Sequence, residues 1–296
     1  MVIVRLLGGL GNQMFQYAAA RRLALAHHVP LKLDLSWFAH SADRAYALHA
    51  LNIEEAFATP EEVGEIRGPS TRGIPRILFR LRRRFKFGYD WTWIHERTLS
   101  PADPRVFHAR ARTYLDGYWQ SEKYFSDVAD TIRFEFTIRD RLDAGTREIL
   151  DRMATAESVS VHVRRGDYVS HARASRARSV CTPSYYQRCV TQLAERLGHL
   201  HLFVFSDDPD WVAANLRFEY PTTLVSTVPA RPEHGDLRLM SACRHHVIAN
   251  SSFSWWGAWL NPHHDKLVLA PSRWMNDARV DDRDVVPAGW IKVSPA

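Results

Sequence analysis

The sequence predicts an α/β protein of two domains built on parallel sheets. Three observations carry this. At 296 residues the chain exceeds what one hydrophobic core usually serves. It opens on a strand, a Gly-rich turn, a helix and a second strand, the unit that builds parallel sheets. Its second half alternates short apolar strands with helices, and several of those strands end in polar clusters.

Val2 to Leu7 is β-branched and apolar, a short buried strand. Gly8-Gly9-Leu10-Gly11-Asn12-Gln13 breaks it, and Met14 to Ala26, rich in Ala, Leu and Arg, follows as a helix. Pro30 to Leu35 is the second strand. From Ser36 to about Pro104 the periodicity weakens, which predicts short helices and loops. Thr113 to Trp119 reads as a strand, then a turn and Glu122 to Asp130. Arg139 to Glu157 is a polar helical connector, so the domain boundary is placed at 150, giving domains of residues 1–150 and 151–296. In the second domain Ser158 to Val163 is a strand and Pro183 to Leu197 a helix with Pro at its start. Leu202 to Phe205, Leu224–Val225, Val247 to Ala249 and Lys266 to Ala270 are strands. Asp236 to Arg244 and the aromatic Phe253 to Leu260 are helices. The pattern is that of a doubly wound sheet.

Composition narrows the partners. Hydrophobic residues at 46% and charged residues at 24% are those of an ordinary globular protein, not a disordered one. A net charge of +6 favours nucleic acid, an anionic membrane or a phosphorylated small molecule. Three cysteines without a CxxC indicate neither a disulfide framework nor a zinc site, and fit a reducing cytoplasm. No apolar run reaches the roughly 18 residues of a membrane span, and the amino terminus lacks a signal-peptide pattern. The expectation is a soluble, cytoplasmic protein.

Ligands of such sheets bind outside the carboxyl ends of the strands. Three polar clusters stand there: His162-Val163-Arg164-Arg165-Gly166-Asp167, Ser206-Asp207-Asp208 and Asn250-Ser251-Ser252. Two adjacent guanidinium groups can clamp a pyrophosphate through paired hydrogen bonds, although Arg165 and Asp167 could equally form a surface ion pair. Ser251 and Ser252 stand where a helix N-cap is expected, and the same position offers N–H groups to a phosphate. Asp207 could accept from a guanine edge or a ribose, or cap the helix that Pro209 starts.

Other motifs point elsewhere. Gly9 and Gly11 match two positions of a dinucleotide GxGxxG turn, with Asp34 near the acidic position, but the third glycine is Met14. Nicotinamide-dependent redox chemistry is therefore the lesser enzyme reading. Asp208-Pro209-Asp210 and Asp282-Arg283-Asp284 spell DxD, a pattern used for divalent metals, yet two arginines could neutralise a diphosphate instead, and no metal is expected. The basic stretch Arg76 to Lys86 supports either a solvated face or peripheral contact with anionic lipid at the inner membrane face. A nucleic-acid binder is the non-enzyme alternative resting on the same stretch, and nucleic acid is not the expected partner.

The blocks GGLGNQMFQYAAARRLA at 8–24, HVRRGDYV at 162–169, FSDD at 205–208, DLRLMSAC at 236–243 and ANSSFSWWGAWLN at 249–261 together resemble the α-1,2-fucosyltransferase family, glycosyltransferase family 11. The blocks cover most of the chain, in family order. The resemblance implies two facing Rossmann-like domains of the GT-B type. The amino-terminal one lies on the acceptor side and the carboxyl-terminal one holds GDP-fucose. It implies inverting transfer of L-fucose, without a metal, to the 2-hydroxyl of a glycan, with terminal galactose the family expectation. By the same likeness His162 would contact the nucleoside, Arg164 and Arg165 the diphosphate, Asp207 the guanine, and Ser251 or Ser252 a phosphate. Asn12 would lie near the reacting centre, flanked by Gly11 and Gln13 as binding residues. Arg165, Asp167 and Asn12 are the expected catalytic set, with Asp167 either the base or the group that orients Arg165.

Overall fold

A computed structural model describes residues 1–67, 92–97, 99, 101–165, 181–225, 232–277 and 279–295. Arg76 to Lys86, and with it the lipid-contact expectation, lies outside the described residues, as does Asp167. The described chain divides into two compact α/β units. The first comprises residues 1–49 and 53–132, the second 50–52 and 133–296.

The first unit carries a four-stranded parallel sheet of β1 (Val2–Arg5), β2 (Leu31–Asp34), β3 (Trp93–His95) and β4 (Thr113–Asp116), in the order β2-β1-β4-β3. Helix α1 (Leu10–His27) joins β1 to β2 and packs on both. It starts four residues earlier than the sequence suggests. Gly9 occupies the N-cap with an extended backbone, so Gly11, Asn12 and Gln13 are helical rather than part of the turn. Helix α2 (Pro60–Arg67) sets Ile66 against Ile3 and Tyr114 of the sheet. The short α3 (Pro104–Phe107) is capped by Asp103, whose carboxylate accepts the Arg105 N–H. Strand β4 stops at Asp116 rather than at Trp119, and Trp119 stands at φ 56°, in left-handed backbone.

In the second unit α4 (Ala129–Glu135) spans the junction and α5 (Ala144–Ala154) precedes β5 (Ser158–Val163). Ile149 and Met153 of α5 join the cluster around Phe203 and Phe205, so α5 belongs to this unit and the compact units part near 132, upstream of 150. There follow α6 (Pro183–Leu197), β6 (His201–Ser206), α7 (Pro209–Asn215), β7 (Thr222–Leu224), α8 (Glu233–Ala242), β8 (His245–Val247), α9 (Ser252–Leu260), β9 (Val268–Pro271) and β10 (Ile291–Val293). The strands form a six-stranded parallel sheet, β10-β9-β8-β5-β6-β7. Strand β10 has no counterpart in the sequence reading.

Period-two alternation along β6 explains the two-sided core. Leu202 and Val204 meet α6 through Tyr185, Cys189 and Leu193, while Phe203 and Phe205 meet α5 and α8 through Met153, Leu239 and Met240. Burying both faces is what makes the strands continuously apolar. The two units are Rossmann-like, the fold class expected. Among the described residues no helix is long and apolar enough to cross a membrane.

Candidate active site

In the second unit the chain order moves from β5 outward to β6 and β7, then returns to the other side of β5 for β8, β9 and β10. The reversal lies between β5 and β8, and a doubly wound sheet opens its ligand crevice at such a point. The three clusters expected from sequence come off β5, β6 and β8, which are adjacent strands.

The arginines after β5 are organised by the aspartates after β6. Arg164 places a guanidinium nitrogen 3.1 Å from Asp207. The Arg165 backbone N–H donates to the other Asp207 oxygen at 2.8 Å, and its Nε donates to Asp208 at 3.2 Å. The Arg165 guanidinium also lies over the Trp211 ring, 3.9 Å from the centroid. Asp208 in turn accepts the Trp211 N–H at 3.1 Å and is the N-cap of α7, so it is Asp208, not Asp207, that caps the helix. Asp207, expected to read guanine, has both oxygens engaged by the arginine segment. The reason is register: Val163 pairs with Ser206, which brings the next residues of each strand together. Trp211 and Asp208 were not singled out from sequence as partners of Arg165. Their signal was the spacing from a capping Asp to a residue three positions on in the first helical turn.

His162 is 4% exposed at the end of β5, with its ring 5.9 Å from that of Phe253 in α9. Its Nδ1 is buried and has no hydrogen-bond partner among the described residues. Burial, reinforced by the Arg164 cation and opposed by Asp207, lowers its pKa to about 3, so the ring is neutral. A neutral imidazole with an unmet nitrogen costs stability unless a ligand completes it. Ser251 takes the N-cap position of α9 without a side-chain cap, so it does not close off the N–H groups of the first turn. Those groups, with the helix dipole, suit an anion. Asn250 is tied down, its amide donating to the Trp274 carbonyl at 3.1 Å, and Tyr185 donates to the Ile248 carbonyl at 2.7 Å. Burial pushes the Cys181 thiol up to about 12, which removes it as a nucleophile.

The expectations at the amino terminus divide. Gln13 is fully buried. Its Nε2 donates to the Gly8 and Ala45 carbonyls at 2.9 Å each, and its Oε1 accepts from the Ala47 N–H at 2.9 Å. It fastens the loop 45–47 to α1, a structural role in place of the binding one expected. Gly11 is likewise buried within α1. Asn12 remains partly exposed, its Oδ1 accepting from Gln120 at 2.7 Å. Asp34 accepts from the Tyr114 hydroxyl at 2.6 Å and from the Ser36 N–H at 2.9 Å, an interior role that leaves no ribose ligand for a dinucleotide. Asp282 accepts from the backbone of Trp274 and Met275. Both DxD spellings thus have structural work for their first residue.

The glycosyl transferase family 11 model matches residues 89–294. An alpha-1,2-colitosyltransferase of Escherichia coli is 33% identical, with 99% of each chain covered. The O-antigen biosynthesis glycosyltransferase WbnK of Escherichia coli is 30% identical over 90% of this chain and 92% of its own. Galactoside alpha-(1,2)-fucosyltransferase 1 of Aotus azarae is 26% identical over 86% of this chain and 63% of its own. Among solved structures, a mutant of Arabidopsis thaliana FUT1 in complex with GDP superposes with a TM-score of 0.50 at 11% identity, covering 90% of this chain and 69% of that one, a likeness of fold.

Proposed function

The chain belongs to glycosyl transferase family 11 and is a glycosyltransferase, and from that premise we propose that it transfers L-fucose from GDP-fucose to the 2-hydroxyl of a terminal galactose, inverting the anomeric centre without a metal. The observation that carries the donor site is the strand order: Arg164 and Arg165 follow β5 on one side of the β5/β8 reversal, and the α9 amino terminus, which Ser251 leaves uncapped, follows β8 on the other. As the anomeric C–O bond breaks, negative charge grows on the departing β-phosphate. Arg165, Arg164, the Ser251 hydroxyl and the first-turn N–H groups from Ser252 onward stabilise it, the role a divalent ion fills elsewhere; the Ser251 N–H itself donates to the Ala249 carbonyl at 2.8 Å. The acceptor oxygen forms the new bond from the opposite face, and its proton passes to a base, for which Asp167 is the proposed group. His162 completes its buried Nδ1 with a polar atom of the nucleoside. Asn12 is the proposed acceptor-side residue of the first unit.

Arg164 and Arg165 are paired with aspartates before the donor arrives, but partly exposed ion pairs contribute only about 0–1 kcal/mol. A diphosphate offering charge-assisted bonds displaces them readily. Asp207 then serves to hold the arginine segment, and guanine recognition does not depend on it alone.

One observation favours a second donor. The colitosyltransferase relative aligns with this chain over 99% of both, at 33% identity. Colitose lacks the 3-hydroxyl of fucose, so the two donors share every group the clamp recognises. The test is incubation with GDP-fucose and, separately, GDP-colitose on a panel of terminal β-galactosides, with linkage read by NMR and with EDTA present in one arm. An α-1,2 product from GDP-fucose that survives EDTA is expected. Product only from GDP-colitose would move the reading to the second donor, and loss in EDTA restored by Mn²⁺ would overturn the metal-free clamp.

A further inference from the structure

The first unit has a reversal point of its own. From β1 the chain goes through α1 to β2 on one side, and β4 and β3 lie on the other, so the reversal falls between β1 and β4. The segments leaving those two strands meet there: Gln120, four residues past β4, donates its Nε2 to Asn12 Oδ1 at 2.7 Å, across 108 residues of chain. Gln120 is 8% exposed, whereas Asn12 is partly open. Gly8, at φ 78°, lies so close to Asn12 that a Cβ there would stand 2.6 Å from the Asn12 Nδ2. Asn12 is therefore confined from both sides.

The turn that carries Gln120 is held in a costly shape. Trp119 is an aromatic residue in left-handed backbone, a conformation worth roughly 1–3 kcal/mol in strain that persists only when surroundings enforce it. Glu96, just past β3, enforces it by accepting the N–H of Tyr118 at 2.6 Å and of Trp119 at 3.1 Å. Gly117 is needed for that approach, since a Cβ there would meet the Glu96 Cβ at 2.3 Å. The buried Trp119 ring packs edge-on against Tyr124, and its Nε1 has no partner among the described residues. The segments that follow β3, β4 and β1 thus meet in one chain of contacts, Glu96 to the 118–119 backbone to Gln120 to Asn12.

We propose that Gln120 is a positioning residue that holds the Asn12 carboxamide by its oxygen, so that Asn12 meets the acceptor sugar as a hydrogen-bond donor through Nδ2. The proposal rests on the reading of Asn12 as an acceptor-side residue. Glu96 acts one step further back, by holding the turn that presents Gln120. Gln120 takes one Oδ1 lone pair and fixes which edge of the amide faces it, and the other edge, on the Gly8 side, carries the N–H₂. A sugar hydroxyl oriented by such a donor keeps a lone pair and its own proton free for other groups.

The experiment compares Gln120→Leu and Gln120→Glu, which lack a donor, with Gln120→His, whose Nε2–H reaches about as far. Steady-state transfer is measured with whichever of GDP-fucose and GDP-colitose the wild type uses, beside GDP affinity and melting temperature. Expected are a fall in kcat of about 10–10²-fold for Leu and Glu, as for displaced catalytic groups, KM values and GDP affinity little changed, and partial recovery in His. Wild-type kcat in Leu and Glu, or a loss carried by KM alone, overturns the proposal. The contact is also read without turnover: in ¹⁵N-labelled protein the Asn12 side-chain amide resonances should shift in Gln120→Glu, and unchanged resonances overturn it. A wild type inactive on every donor and acceptor defeats the proposed function, whereas an active wild type indifferent to Gln120 defeats only this inference.

Discussion

Arg165 makes three interactions at once: its backbone with Asp207, its Nε with Asp208, and its guanidinium face with Trp211. Planarity and delocalisation allow this, since the ring uses the face and the hydrogen bonds use the edge. Removing the side chain should cost far more than removing its platform. Arg165→Ala is expected to lower kcat by about 10²–10³-fold with the fold intact, the loss typical of one charge-stabilising donor. Trp211→Ala forfeits a cation–π contact of about 0.5–2 kcal/mol, so the expected loss is about 2–30-fold. Steady-state kinetics with circular dichroism as a fold control checks both, and equal losses in the two variants would contradict the platform role. Arg164 and His162 are single-residue cases of the same kind, each legible in sequence as a type and a place but not by its partner. Gln13 shows the opposite outcome. Its position in the Gly-rich block suggested a ligand, and burial turned it into a fastener.

At the scale of elements, α9 shows why an aromatic helix needs a glycine. Trp255 and Trp256 are fully buried, and the Trp255 Nε1 is satisfied by the Val285 carbonyl at 2.8 Å. Gly257 faces α8, where an added Cβ would stand 2.8 Å from the Met240 Cβ. Gly257→Ala should therefore destabilise by about 1–3 kcal/mol, as overpacking does, and Met240→Ala in the same chain should recover part of that loss in a urea titration. The turn after β4 offers a pH test. Burial pushes the Glu96 carboxyl up to about 7 even though two backbone N–H groups favour its ionised form. A folded pKa raised above the ordinary 4.5 means that the folded chain holds the proton longer than the unfolded chain does. The favourable contribution of the protonated form is thus complete below 4.5 and lost as pH rises to about 7. Melting temperature of wild type relative to Glu96→Gln should fall between pH 4.5 and 7 and level off above. A constant difference would show that Glu96 does not titrate there.

For the whole molecule, each unit has its own sheet and core and its own reversal point, so ligand effects should be separable by segment. GDP at about 100 times its Kd should stabilise the protein by about 2.7 kcal/mol. Hydrogen exchange should slow at the ends of β5 and β6 and at the start of α9, within 160–165, 206–211 and 250–255. Slowing confined to the first unit would contradict a nucleotide site in the second.

The sequence by itself determined the fold class and the enzyme family. Alternating apolar strands and helices require parallel sheets, a clean apolar period locates β1, β5 and β6 within a residue or two, and residue types such as adjacent arginines declare what they can bind. It left β10 and the start of α1 unseen, because a three-residue strand and an uncapped Gly9 carry little local signal. Only the tertiary structure decided which polar groups face one another. Asp207 and Asp208 meet the arginines because parallel pairing of β5 with β6 fixes their register, and Gln120 meets Asn12 because β4 lies beside β1. These contacts span 42 to 108 residues of chain. Local sequence specifies the geometry of neighbours along the chain, whereas partners so far apart are brought together by strand order, which follows from burying the whole sheet at once.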